Sequence, residues 1–314
     1  MALAAIDVQG SKSFPKWLLH PLQTTTTHSF QILSKTPLLF LSITAFSILP
    51  SALLLFSLAF SSRPLERQIS YKTRVADASY IPVEVQHIYH EARSDALSLL
   101  RLKALYFLPS FLFSLLAALT AVASAALAHN GKRPSHAAAL ATARKAWPRF
   151  ASTSAFAFVA ASGCGYFARG LWGLRWLGWA RPAVGGAGVV LEVYAKEVVS
   201  LGMVASVVEE RWGVEALVTG WEVMEGRRVC GALLGGLLVL ESCGIGWGLR
   251  ALMDGGEKRM QLMEGVVGMV CLVGLFCGVV LWSFVSNTVF YLECKKFRAS
   301  ETDSRSLELV SDAL

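Results

Sequence analysis

Residues 190–199 read VLEVYAKEVV, which places Glu192, Lys196 and Glu197 inside one of the most apolar stretches of the chain. Ionisable side chains are costly in hydrocarbon, and where they occur they relay protons, hold a cation or pin helices together. Glu192 and Lys196 are four residues apart with the acid first, the favourable order for an ion pair on one helical face. Glu197 points about 100° away from Lys196 and needs another partner. Counted back from the polar junction at Glu209, Lys196 lies about 20 Å deep, and Glu241 lies about 18 Å along a neighbouring antiparallel helix. The spacing predicts one intramembrane polar cluster of Glu192, Lys196, Glu197 and Glu241, with Arg169, Arg175 and Arg250 near its outer edge. Such a cluster could line a cavity for protons or a cation. It could equally be a structural ion pair with Lys196 reaching toward the interface, and the shallow depth favours that second role.

Other chemistry-bearing patterns are weaker. EVQHIYHEARSD brings His87, His90 and Glu91 to helical spacing, but it lacks the HExxH order of a zinc site, so no metal is expected. Phosphate loops, nucleophile elbows and dinucleotide fingerprints are all missing, so neither an enzyme nor a cofactor is expected. Of the six cysteines, five sit in or beside apolar blocks as small buried thiols. Cys294 follows the last block and precedes Lys295 and Lys296, a juxtamembrane setting that marks it as a candidate for S-palmitoylation.

The elements that must carry these residues follow from composition. The 314-residue chain is 54% hydrophobic and only 16% charged, with a mean hydropathy of +0.51. Six apolar blocks are long enough to cross a bilayer: 37–60, 104–128, 151–171, 184–208, 229–250 and 264–291. Backbone groups in lipid must be satisfied within their own segment, and the blocks show no alternation of polarity, so each is predicted to be a helix rather than a barrel strand. The fold class is an all-α membrane protein with six transmembrane helices. Residues 1–36 form an N-terminal cytosolic segment, 37–291 the membrane domain and 292–314 an acidic cytosolic tail.

Helical apolar stripes with tryptophan over 14–35, 134–150 and 210–228 read as interfacial helices ahead of each pair of spans, a threefold helix-plus-hairpin plan. Two GxxxG motifs, Gly231–Gly235 and Gly274–Gly278, suit close packing of helix backbones. Residues 61–103 read as a long loop. The segment 129–150 carries five basic residues and no acid, which puts it and both termini on the cytosolic side. The net charge of +7 is spread over helix ends rather than gathered on a groove-reading face, so the partners expected are the lipid bilayer and cytosolic proteins, not nucleic acid. No cleaved leader is expected before the first block, and the membrane is predicted to be an endomembrane or the plasma membrane.

Two stretches resemble a plant family of uncharacterised multi-pass membrane proteins. VASVVEERWGVEALVTGWEVMEGRR, 204–228, is similar to that family's passage from a span through an acidic pair into an amphipathic helix. SNTVFYLECKKFRASETDSRSLELVSDAL, 286–314, is similar to its closing segment. The resemblance implies a six-span order and plant origin. It implies no activity, and the Ala-, Gly- and Arg-rich residues 130–190 depart most from it.

Overall fold

The computed structural model describes residues 16–78, 82–131, 136–173, 181–255 and 262–312, and among these it contains helices and no strand. The order is α1 (Lys16–Lys35), α2 (Pro37–Ile43), α3 (Leu49–Ala78), α4 (Pro82–His129), α5 (His136–Gly173), α6 (Arg181–Val208), α7 (Gly213–Val223), α8 (Arg228–Gly255) and α9 (Leu262–Asp312). A π-helical turn, Thr44–Ile48, joins α2 to α3. It lies just ahead of Pro50, whose missing N–H and ring crowd the preceding turn and widen it.

The long helices pack as three hairpins, α3 with α4, α5 with α6 and α8 with α9. Side-chain pairs give each register. In the first, Ser57 meets Tyr106 and Lys72 meets Asp95, so α3 and α4 run antiparallel. Arg149 meets Glu210, and a Cβ on Gly165 would lie 3.5 Å from Glu192 Oε1, so α5 and α6 run antiparallel. Asn287 meets Ser200 and Tyr291 meets Glu209, so α6 and α9 run parallel.

The inside of the bundle is built from small residues. Ala117, Ala118, Ala121, Ala125, Ser124, Ala205 and Ser206 are buried, while Phe46, Val159, Leu240 and Trp247 point outward. Helices that associate in lipid gain little from hiding large apolar groups and much from close backbone approach, which is the pattern here. Gly231 and Gly235 follow it: a Cβ on the first would meet Met224 and Phe290, and on the second Glu197 and Val193. The other GxxxG motif does not, because a Cβ on Gly274 or Gly278 would meet nothing within 4 Å.

Five helical stretches are long and apolar enough to cross a membrane: Pro37–Ala78, Val85–His129, His136–Phe167, Arg228–Met253 and Val266–Ser300. The sixth predicted span is α6. It has 28 residues, and every window of 18 within it contains Glu192, Lys196 and Glu197 together, so the charge cluster itself sets this helix apart from the other five.

Two expectations about the connections are corrected, and the tail is seen to be helical. The loop over 61–103 is helical over 61–78 and 82–103, because α3 continues to Ala78 and α4 begins at Pro82. That segment contains no glycine, and ion pairs zip the two arms: Lys72 to Asp95 at 2.7 Å and to Glu91 at 3.2 Å, and Lys103 to Glu66 at 2.8 Å. The interfacial helix over 134–150 is not a separate element but the first turns of the 38-residue α5. The tail after 291 is the continuation of the 51-residue α9 as far as Asp312.

Two of the amphipathic helices also have a buried face that their apolar stripes do not mark. Short helix α7 buries Gly213, Ala216, Gly220 and Val223 against the bundle and leaves Val214, Val218 and Trp221 exposed. Helix α1 buries Thr25, Ser29 and Ile32 and leaves Phe30 exposed. Both inward faces are made of small or hydroxyl-bearing residues, which an apolar-stripe search passes over. Residues 1–15 lie outside the described residues.

Candidate functional site

The four predicted intramembrane residues do not form one cluster. Lys196 Nζ stands 2.7 Å from Glu192 Oε1; Lys196 is half-exposed, whereas the Glu192 carboxyl lies beside Gly165 of α5. Glu197, one residue on, turns inward and is only 3% exposed. It packs on α8, where a Cβ added to Gly235 would lie 3.0 Å from Glu197 Oε2, so the missing side chain at 235 makes room for the carboxyl. Its Oε1 is buried without a hydrogen-bond partner.

Glu241 is six residues beyond Gly235 on α8, which places it about 9 Å further along and about 240° round the helix. It therefore sits off the Glu197 contact instead of facing Lys196 at equal depth, and its Oε2 is also buried without a partner. The depth count failed because α6 and α8 do not start level with each other, and a register offset between two helices is a tertiary property. Arg250 is exposed. The Arg169 side chain and residue Arg175 lie outside the described residues.

A denser polar site lies where α6 hands over to α7. The α6 helix ends at Val208, and Glu209 and Glu210 then turn in opposite directions. Glu209 Oε1 accepts a 2.5 Å hydrogen bond from the Tyr291 hydroxyl of α9 and lies 3.0 Å from Lys295 Nζ. Glu210 Oε1 and Oε2 lie 2.9 Å from Lys145 Nζ and from Arg149 Nη1, both on α5. The Gly213 amide donates to Thr153 Oγ1 at 3.0 Å, giving α7 a buried anchor on α5. One acidic pair thus ties α5, α6, α7 and α9 together at one end of the bundle.

The backbone there is as unusual as the side chains. Glu210 has φ of 59° in the left-handed region, where helices commonly end in glycine. A non-glycine residue there costs about 1–2 kcal/mol. A glycine would relieve that cost but would lose both cationic partners. Electrostatics follow from the same geometry. The Arg149 and Lys145 charges hold the Glu210 carboxyl at about 2. Burial works against ionisation of Glu209, yet the Tyr291 hydroxyl and Lys295 outweigh it and hold that carboxyl below its ordinary range.

Neighbouring contacts extend this end. Thr25 Oγ1 of α1 donates to Glu293 Oε2 at 3.0 Å, and Lys296 Nζ lies 3.0 Å from His129 Nε2 of α4. Arg227 lies over the Phe297 ring at 4.4 Å, and Arg228 over Trp221 at 5.2 Å. Nearly every helix end on this side is therefore joined to α9 or α7 by a polar or cation–π contact.

A family model described as Domain of unknown function (DUF8558) matches residues 21–312. The chain belongs to this family. No curated protein and no solved structure matches it. The matched residues include Glu192, Glu197, Glu241 and the whole of the Glu209–Glu210 junction, so both features lie inside the family's domain.

Sequence reasoning passed over the junction as chemistry, although it quoted Glu209 and Glu210 as an acidic pair. The usable signal was their position just before Trp212-Gly213, opposite a segment with only basic charge. Cys294 is corrected: it is 1% exposed, inside the core cluster with Cys230 and Met224, so its thiol does not face an acyl donor. In the α3–α4 hairpin Glu91 is engaged by Lys72 and His87. Among the described residues no group of three or more His, Cys, Asp or Glu could hold a metal.

Proposed function

We propose that the protein is a six-span, non-enzymatic membrane scaffold or regulator whose cytosolic face engages protein partners. The observation that carries this reading is the construction of that face. Helix α9 runs unbroken to Asp312, so the segment after the last predicted span is a helix rather than a loose tail. Its root is held by Tyr291 and Lys295 on Glu209, beside exposed Trp212 and the exposed Val218 and Trp221 of α7. A continuous helix on a braced base suits the presentation of a binding surface.

Six crossings follow if α6 spans with its neighbours. It lies against α5 and parallel to α9, both long and apolar enough to cross. A cytosolic setting for the termini rests on the basic segment 129–150. The resemblance to plant six-span proteins points the same way. The test is partner capture by the full-length protein in mild detergent against a chain ending at Ser300. Partners kept equally by the shortened chain would sink the reading.

A second reading, transport of a proton, a cation or a small solute, is favoured by Glu197, a carboxyl enclosed in a lipid-solvated bundle with one oxygen unpartnered, and by Glu241, whose Oε2 shares that state. Flux in proteoliposomes that disappears with Glu197→Gln would establish it over the scaffold reading.

A further inference from the structure

One cavity belongs to neither site. It has a volume of about 630 Å³ and runs between α3 and α4, closed behind by α9 and at one side by α5. Leu54, Leu58, Phe107, Phe111, Phe158 and Phe276 are among its walls. The aromatic wall is organised, with Phe107 stacked on Phe111 and tilted against Phe158, each at 5.6 Å between ring centroids.

The shape of the cavity is more informative than its size. Along α4 its lining extends from Leu100 to Ala117, about 25 Å at 1.5 Å per residue. Spread over that length, the volume makes the cavity a long slot rather than a round pocket, narrower than a helix of 10–12 Å diameter would need.

Its two ends differ in kind. One end is polar: Lys103 lines it, Tyr106 bonds Ser57 at 3.4 Å beside it, and Glu66 lies 2.8 Å from Lys103 Nζ. The other end is closed by Ile48, Ala117, Val280 and Phe284. Lys103 and Ala117 are 14 positions apart on one helix, about 21 Å, against about 15 Å for the hydrocarbon half-thickness of a bilayer. An ammonium at headgroup level with its slot ending near the bilayer midplane has the dimensions of one leaflet.

We propose that this slot holds one acyl chain of an anionic phospholipid from the leaflet on the Lys103 side, with its phosphate at Lys103. The assignment rests on α3 and α4 crossing the bilayer as the membrane reading above requires. The Lys103 ammonium has three donors and gives one to Glu66, so two remain for phosphate oxygens. Glu66 competes for the same cation, which makes the charge balance at the mouth tunable from either side.

The experiment is photo-crosslinking of the full-length protein in nanodiscs, using phosphatidylglycerol or phosphatidylcholine with a diazirine near the end of one chain. Adducts are expected on 48–58 and 107–117, with phosphatidylglycerol preferred. One cation at the surface contributes about 1 kcal/mol, so Lys103→Gln should lower that preference about fivefold and Glu66→Gln should raise it. Both residues are half-exposed, so neither change threatens the fold. Ser114→Phe, which fills the slot, should remove the adducts. Adducts spread evenly over the outward faces of α5, α8 and α9 would overturn the proposal, as would a preference indifferent to Lys103 or displacement by a sterol probe. Resistance of the protein to alkaline extraction is read in parallel, so that failure of membrane insertion is told apart from failure of the slot.

Discussion

A Cβ on Gly220 of α7 would lie 2.6 Å from the backbone nitrogen of Gly202 on α6, and 2.8 Å from the Val198 carbonyl oxygen. Two helices separated by a short turn thus touch backbone to backbone, which only glycine permits. This contact sets the angle at which α7 leaves the Glu209–Glu210 junction, and it is reinforced by the edge-on Tyr194–Trp221 pair at 5.4 Å.

Gly220→Ala should therefore destabilise the protein by about 1–3 kcal/mol, since the atoms met are backbone and cannot rotate aside. Gly278→Ala is the control, because a Cβ there meets open space. Thermal unfolding in detergent should separate the two variants. Equal effects would mean that α7 is not seated on α6.

Glu210 tests the junction through its backbone. Glu210→Ala loses both ion pairs and keeps a left-handed residue, whereas Glu210→Gly loses the ion pairs and relieves about 1–2 kcal/mol of strain. The glycine variant should be the more stable of the two. An alanine variant as stable as glycine would contradict the φ of 59°.

The same residue has a pH signature. Its folded carboxyl sits at about 2, below the ordinary value of 4.5, so its contribution is complete above about 4.5 and is lost as pH falls toward 2. The stability gap between the native protein and Glu210→Gln should be constant from pH 5 to 7 and narrow in that acid window. Unfolding temperatures across pH would reveal it, and a gap that widened on acidification would reverse the sign of the argument.

Tyr291 is fully buried, and its hydroxyl bonds a carboxylate, an arrangement worth about 1.5–3 kcal/mol. Tyr291→Phe should cost that much. Lys295→Ala removes a half-exposed partner of the same Glu209 and should cost less than about 1 kcal/mol. If the two costs were reversed, α9 would be held by its surface charge instead of its buried phenol.

Cys294 should resist a water-soluble maleimide in the folded protein and react after denaturation, because its side chain is 1% exposed. Mass spectrometry would read the modification directly. Acylation of Cys294 in protein from cells would show that the base of α9 opens.

Helix content and the apolar blocks were legible in the sequence because both are local. A run of apolar residues of bilayer length must satisfy its own backbone, whatever surrounds it. The pairing of Glu192 with Lys196 was legible for the same reason, being one turn of one helix. The buried faces of α1 and α7 were not, since Thr25, Ser29, Gly213 and Gly220 carry no apolar signal and count only when another helix approaches them.

The sequence by itself determined that this chain is a set of long helices with few charges, and which residues carry those charges. Only the tertiary structure decided where the charges point. Helix register and offset turned Glu197 inward onto Gly235, moved Glu241 away from Lys196, and divided Glu209 and Glu210 between α9 and α5. Those outcomes depend on the angle and level at which separate helices meet, and packing between distant parts of the chain sets both.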